Sequence, residues 1–269
     1  MKRSLSLSLS LANRSKRGFS LVELSIVLVI LGLLVGGVLS GQSLIRAAEL
    51  RSVSSDIQKY SATMYSSRYR YFAFPGDMAN ATQFWGSADG TGGDVACMNA
   101  QVQGVAATCN GTGDGQSDSI TGYVWAERFL AWKHMANAGL IEGSYTGKNG
   151  AAPGTYAKVR GVNLPAGKMS SSSYDWLYVT EASSVGNWFT ATNFDAHVIS
   201  MFGASLKPEE AWNLDTKMDD GSPVNGRFSV HRPSSVSYPG NTCATSDADT
   251  ATYNLTSTTS DCSIIYILR

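Results

Sequence analysis

The sequence predicts an α+β fold, in which a long amino-terminal helix packs against an antiparallel β-sheet of a carboxy-terminal head. Three observations predict it. Residues 21–39 are largely apolar and contain one charge, and residues 50–64 carry apolar side chains at helical spacing. The remaining chain has short aromatic and β-branched segments between stretches rich in Gly, Ser, Thr and Asn. A length of 269 residues suits one globular domain with one further element.

The first element is an apolar segment preceded by a basic leader. Residues 21–39 hold a single charged residue, Glu23. At about 1.5 Å per residue, a helix of this length spans the roughly 30 Å hydrocarbon core of a bilayer. We expect the basic flank to stay cytoplasmic and the rest of the chain to cross the membrane. The basic residues of the leader are Lys2, Arg3, Arg14, Lys16 and Arg17.

The order of leader and apolar segment differs from that of an ordinary secretory signal, which is cleaved after its apolar core. Here the basic leader ends at Gly18, before the apolar run. Residues 18–23 read GFSLVE, and the apolar run continues to residue 39. This arrangement resembles the class III signal of type IV pilins and type II secretion pseudopilins. The resemblance implies that a prepilin peptidase cuts between Gly18 and Phe19 and methylates the new amino terminus of Phe19.

Glu23 is the fifth residue after that cut. A carboxylate inside hydrocarbon costs at least a few kcal/mol unless it finds a partner. The resemblance implies that Glu23 pairs with the amine of Phe19 of a neighbouring subunit during assembly, and that its presence favours a subunit able to stack below others. The alternative is that Glu23 reaches toward lipid headgroups near the end of the helix.

The helix is expected to continue beyond the membrane, because apolar residues recur at spacings of three and four along one face. These residues are Leu50, Val53, Ile57, Tyr60 and Met64. We expect a leader at 1–18, a helix at 19–69 whose part 19–40 serves membrane insertion and assembly, and a head at 70–269. The pilin resemblance implies a lollipop shape, in which the apolar stripe packs against the head.

Within the head, aromatic and β-branched segments predict strands at 176–180, 227–231 and 263–268. Amphipathic spacing predicts a helix at 123–138 that ends before Gly139, and Pro208 suits the first turn of a helix at 208–218.

Three stretches of the head resemble segments of large, pilin-like proteins. They are YFAFPGDMANATQFWG at 71–86, WAERFLAWKHMANAGLIEGSYTG at 125–147 and LKPEEAWNLDTKMDDGSPVNG at 206–226. This second resemblance implies a subgroup of prepilin-like proteins, but it implies no chemistry for the head.

The four cysteines include no C-x-x-C pair of the kind that binds zinc or performs redox chemistry. Disulfides agree with a head that is exported to an oxidising compartment. Three pairings are possible. We favour Cys97 with Cys109 and Cys243 with Cys262, because each pair encloses a short loop with few apolar residues. Four buried free thiols are the alternative.

Calcium is the one cofactor that the sequence suggests, and none is required. Asn110, Thr112, Asp114 and Asp118 alternate around a glycine as oxygen ligands do in a calcium loop, but Thr121 stands where an EF-hand needs glutamate. A second candidate is an acidic cluster before Gly221, and some pseudopilins hold calcium in such a loop. Solvated turns are the alternative at both places. The cluster comprises Asp215, Asp219 and Asp220.

The sequence gives little support for an enzyme or for a nucleic-acid-binding protein. His134, His197 and His231 are scattered, and no hydrolase, metalloprotease or P-loop motif is present. Five of the 21 basic residues precede Gly18, which leaves 16 against 21 acidic residues and no excess for phosphate binding. We expect aromatic residues of the head to be core; an adhesive or glycan-binding surface is the alternative. Those considered are Trp85, Tyr145, Tyr174 and Trp188.

These observations predict a filament subunit that is inserted in the bacterial inner membrane with a periplasmic head and is later polymerised into a cell-surface or periplasm-spanning filament. The expected partners are homologous pilin subunits, the prepilin peptidase, an inner-membrane assembly platform and the lipid bilayer. One alternative is a type II secretion pseudopilin. Another is a membrane-tethered binding protein or hydrolase that uses the helix only as an anchor.

Overall fold

The computed structural model describes residues 18–90, 95–117, 126–149, 158–169, 171–179, 196–230, 242–246 and 250–268. The chain divides into two units, residues 1–47 and 48–269. The α+β class is confirmed. The helices are α1 (Leu21–Tyr71), α2 (Ala81–Trp85), α3 (Val95–Ala100), α4 (Ala126–Asn137) and α5 (Pro208–Met218). The strands are β1 (Ser173–Val179), β2 (Ala196–Leu206), β3 (Phe228–Val230) and β4 (Cys262–Ile267).

The four strands form one antiparallel sheet in the order β1-β2-β4-β3. The sequence predicts β1, β3 and β4, but it does not predict β2, which lies inside the sheet. The pairing of β2 with β4 is irregular between Met201 and Leu206. Gly203 lies there with φ +86°, and a Cβ on it would lie 2.1 Å from the Ser171 carbonyl oxygen. Only glycine fits this bulge.

The apolar stripe of α1 forms part of the core of residues 48–269. Val53, Ile57, Tyr60 and Met64 are all buried and belong to the largest apolar cluster. The Tyr60 ring contacts α4 through Trp132 at 5.0 Å between ring centroids, and it contacts β1 at 5.1 Å. Full burial of an Ile, Val or Met side chain contributes roughly 1.5–3 kcal/mol to the free energy of folding. The prediction that this stripe packs against the head is therefore confirmed.

The other unit contains the apolar part of α1. Every Leu, Ile and Val from Leu21 to Leu39 is at least half exposed. This helix is long and apolar enough to cross a membrane. A helix with so many exposed apolar side chains is stable only when lipid hydrocarbon or other apolar side chains surround it.

Three charged residues lie together where α4 meets β1. Asp175 of β1 is fully buried, and Arg128 of α4 donates hydrogen bonds to both of its carboxylate oxygens. Lys158 Nζ lies 3.1 Å from Asp175 Oδ2. Burial alone would raise the pKa of Asp175, but the two neighbouring cations lower it. Burial lowers the pKa of Lys158 to about 7.

Two of the three histidines are buried as neutral rings, and His231 lies outside the described residues. His134 Nδ1 accepts a hydrogen bond from the Gly76 N–H at 3.1 Å, while Nε2 lies 3.2 Å from the Cys109 carbonyl oxygen. His197 stacks on Trp176 with 4.5 Å between ring centroids. Burial lowers the pKa of His134 and of His197 to about 3 in each case.

We expect the free energy of unfolding to decrease as the pH falls below about 6.5, because the unfolded histidines bind protons near that pH while the folded ones stay neutral. At these two rings the unfolded state therefore binds more protons throughout this window. Each histidine contributes a loss of about 1.6 kcal/mol between pH 6.5 and pH 5. Urea unfolding across this window measures the loss, and His134→Gln should reduce the slope. The same slope in the wild type and in His134→Gln would contradict the burial of the His134 ring, because Asp215 and the other groups titrate alike in both chains.

Candidate functional site

The amino-terminal site consists of the residues just before and inside the first turn of α1. Ser20 precedes the helix, and its Oγ accepts a hydrogen bond from the Val22 N–H at 3.3 Å. In return, the Ser20 N–H donates to Glu23 Oε2 at 2.8 Å. This reciprocal pair resembles a capping box, which satisfies N–H groups that the helix leaves without partners. Glu23 therefore stabilises the start of its own helix.

The same geometry leaves the predicted cleavage bond, between Gly18 and Phe19, accessible. Gly18 and Phe19 lie before the helix and are exposed, with Phe19 at 90%. A carboxylate offers about four lone-pair positions, so the hydrogen bond from Ser20 does not exhaust Glu23 as an acceptor. Glu23 also lies at the amino-terminal end of α1, where the helix dipole favours negative charge. The arrangement suits a carboxylate that accepts one further donor, such as an amine.

The cysteines form two disulfides, Cys97–Cys109 and Cys243–Cys262. These are the pairs that the short enclosed loops favour. All four residues are fully buried. The first disulfide packs against α4, and the second ties the loop at 242–246 to the start of β4.

The first predicted calcium loop has partners that the sequence did not indicate. The carboxylates of Asp77, Asp114 and Glu127 lie within 4.8 Å of one another. Asp77 accepts hydrogen bonds from three consecutive backbone N–H groups, those of residues 113–115, at 2.7, 3.0 and 3.0 Å. Glu127 accepts from the N–H and Oγ1 of Thr112 at 2.5 and 2.9 Å. The two buried acids thereby fix the conformation of the loop.

Asn110, the first residue of that loop, has a different role. Its Oδ1 accepts a hydrogen bond from the Thr82 N–H at 2.9 Å, and it thereby caps α2. Asp118 lies outside the described residues. Asp77 and Glu127 come from separate segments of the chain, so no local spacing pointed to them.

The second predicted cluster is brought together by the structure. Carboxylate oxygens of Asp215, Asp219 and Asp220 lie within 4.8 Å of one another. Asp215 accepts hydrogen bonds from the Tyr253 hydroxyl at 2.8 Å and from the Gly221 N–H at 3.1 Å. Burial raises the pKa of Asp215 to about 7. Calcium binding stays a prediction at both clusters.

The aromatic residues considered for binding have different locations. Tyr145 and Tyr174 are buried in the core, as expected. Trp85 is partly buried beside Tyr71 and Phe84. Trp188 lies outside the described residues.

Comparison with known families identifies the amino-terminal segment. The family model of the prokaryotic N-terminal methylation motif matches residues 13–39. The match begins in the basic leader, includes Gly18, Phe19 and Glu23, and ends with the apolar part of α1. No curated protein and no solved structure matches the chain. The chain therefore carries the prepilin signature of type IV pilins and pseudopilins.

Proposed function

We propose that this chain is a structural subunit of a type IV pilus-like filament. The observation that carries the proposal is the methylation motif. It matches residues 13–39 and therefore includes the exposed apolar residues at the start of α1. In this proposal the chain is first anchored in the bacterial inner membrane with its head in the periplasm. A prepilin peptidase then removes residues 1–18 and methylates Phe19, which leaves the apolar helix on the mature subunit.

Assembly follows from the chemistry of that helix. Its apolar surface is stable in the bilayer and equally stable against the helices of other subunits, so transfer into a filament keeps it away from water. Glu23 favours the register in which its charge meets the amine of Phe19 of a neighbouring subunit, because an unpaired carboxylate in hydrocarbon is costly. The proposed partners are homologous subunits, the peptidase and an inner-membrane assembly platform.

The experiment is mass spectrometry of the intact protein and its amino-terminal peptide, purified from native membranes with and without the cognate prepilin peptidase. We expect the chain to begin at N-methylated Phe19 only when the peptidase is present. A chain that retains residues 1–18, or that is cut after the apolar segment, would contradict the proposal and favour a permanent anchor or a secreted protein. Surface fibres that contain the subunit would distinguish a pilus from a type II secretion pseudopilus.

A further inference from the structure

Phe72, the residue that follows α1, has an unusual backbone conformation. Its φ is +57°, and it is the one non-glycine residue with a positive φ among those that the structure describes. Helices commonly end with a left-handed residue at this position, but that residue is usually glycine, because a side chain is strained there. The Phe72 ring is also 93% exposed, so core packing does not explain it. Strain of this kind at an exposed residue indicates a functional constraint.

Phe72 borders a groove of about 490 Å³, within the range of roughly 300–1,000 Å³ that is typical of ligand sites. Tyr71 and Phe74 also line this groove. Their rings are fixed by neighbours, since Tyr71 lies 5.0 Å from the Phe84 ring and Phe74 lies 4.0 Å from the His197 ring. A ligand would therefore meet a Tyr71 ring that is already packed against a neighbour, which lowers the entropic cost of binding.

Polar side chains line the same groove. Asn80 stands at the N-cap of α2, but its side chain makes no capping hydrogen bond, because Asn110 caps this helix instead. Among the described residues, the Asn80 carboxamide has no hydrogen-bond partner. Asp77 lies beside it, and the Arg68 guanidinium lies 4.6 Å from the centre of the Phe74 ring. The groove thus offers hydrogen-bond donors and acceptors next to aromatic surface.

We propose that this groove binds an uncharged carbohydrate. A pyranose ring has faces of C–H groups that pack on aromatic rings, and it has hydroxyls that both donate and accept hydrogen bonds. Phe72 and Tyr71 provide the rings, while Asn80 and Arg68 provide the hydrogen-bonding groups. A nucleic acid fits poorly, because Asp77 and the nearby Asp114 would repel phosphate. The proposal does not depend on filament assembly.

The test uses the full chain in a detergent without a sugar headgroup, titrated calorimetrically with maltotriose, cellotriose and triacetylchitotriose. We expect saturable binding of at least one trisaccharide. Phe72→Gly should weaken it by about tenfold or more without lowering the Tm, because glycine accepts the left-handed conformation. Asn80→Ala should also weaken it. Tyr69→Ala is the matched control, since Tyr69 is an aromatic residue of α1 that is 80% exposed and does not line the groove, and binding should stay unchanged.

Absence of saturable binding to all three trisaccharides would overturn the proposal, as would wild-type affinity in the Phe72→Gly variant. A merely structural role for Phe72 predicts a lower Tm in that variant instead of a loss of affinity. If no sugar binds and Phe72→Gly reduces recovery of the subunit in filaments, the groove contacts another protein chain and the carbohydrate assignment is wrong.

Discussion

Replacing Arg128 by alanine is expected to destabilise the folded head by about 3 kcal/mol, the lower end of the roughly 3–5 kcal/mol typical of a broken buried ion pair. Arg128 is 4% exposed and Asp175 is fully buried, so the variant leaves a carboxylate in a water-excluded site. The loss is at the lower end because Lys158 stays 3.1 Å from Asp175. Urea unfolding of the wild-type and variant chains measures the difference.

A double variant provides the control for this prediction. Arg128→Met combined with Asp175→Leu removes both charges and keeps apolar bulk at the contact between α4 and β1. We expect it to be clearly more stable than the sum of the two single losses predicts, because neither Arg128 nor Asp175 is left buried alone and Lys158, whose side chain is 24% exposed, still reaches water. If the double variant loses as much stability as the two single variants together, the two residues are not coupled. An Arg128→Ala variant within about 0.5 kcal/mol of the wild type would likewise show that the pair contributes little to the free energy of unfolding.

The sequence predicted the elements whose pattern is local. The helix α5 begins at Pro208 and ends at Met218 as predicted, because proline is suited to the first turn of a helix. The apolar stripe of α1 was predicted because every buried position recurs at helical spacing. The strand β2 was missed for the opposite reason. Its Val198 and Ile199 stand among Ala, Ser and Gly residues that are not typical of strands, and Gly203 at its bulge is more typical of a turn.

The interactions that join distant segments were not predictable. Arg128 and Asp175 are ordinary charged residues in their own segments, and only the packing of α4 against β1 makes them a buried pair. The cluster of Asp215, Asp219 and Asp220 was predicted because one stretch of chain contains it. Asp77 was not associated with the loop at 113–115, because the two segments meet only in the folded head.

The variants Glu23→Ala and Glu23→Gln are both expected to be cleaved, methylated and inserted like the wild type, but to be absent from filaments. The proposed cut lies before the helix, so neither change alters the bond that the peptidase would reach. Both variants remove the negative charge that is proposed to pair with the amine of Phe19. Mass spectrometry of the amino terminus measures processing, and immunoblots of sheared filaments and membranes measure incorporation.

In the structure Glu23 also caps its own helix, and the variants separate this role from the proposed pairing between subunits. Its carboxylate accepts a hydrogen bond from the Ser20 N–H, and glutamine can still accept that bond while alanine cannot. Ser20→Ala removes the capping hydroxyl and keeps the charge. If the charge drives assembly, Ser20→Ala forms filaments and Glu23→Gln does not. If capping is what assembly requires, Glu23→Gln forms filaments and the proposed pairing between subunits is wrong. The glutamine variant therefore distinguishes two requirements for assembly: the hydrogen bond that caps α1, and the negative charge that is proposed to pair with the amine of the next subunit.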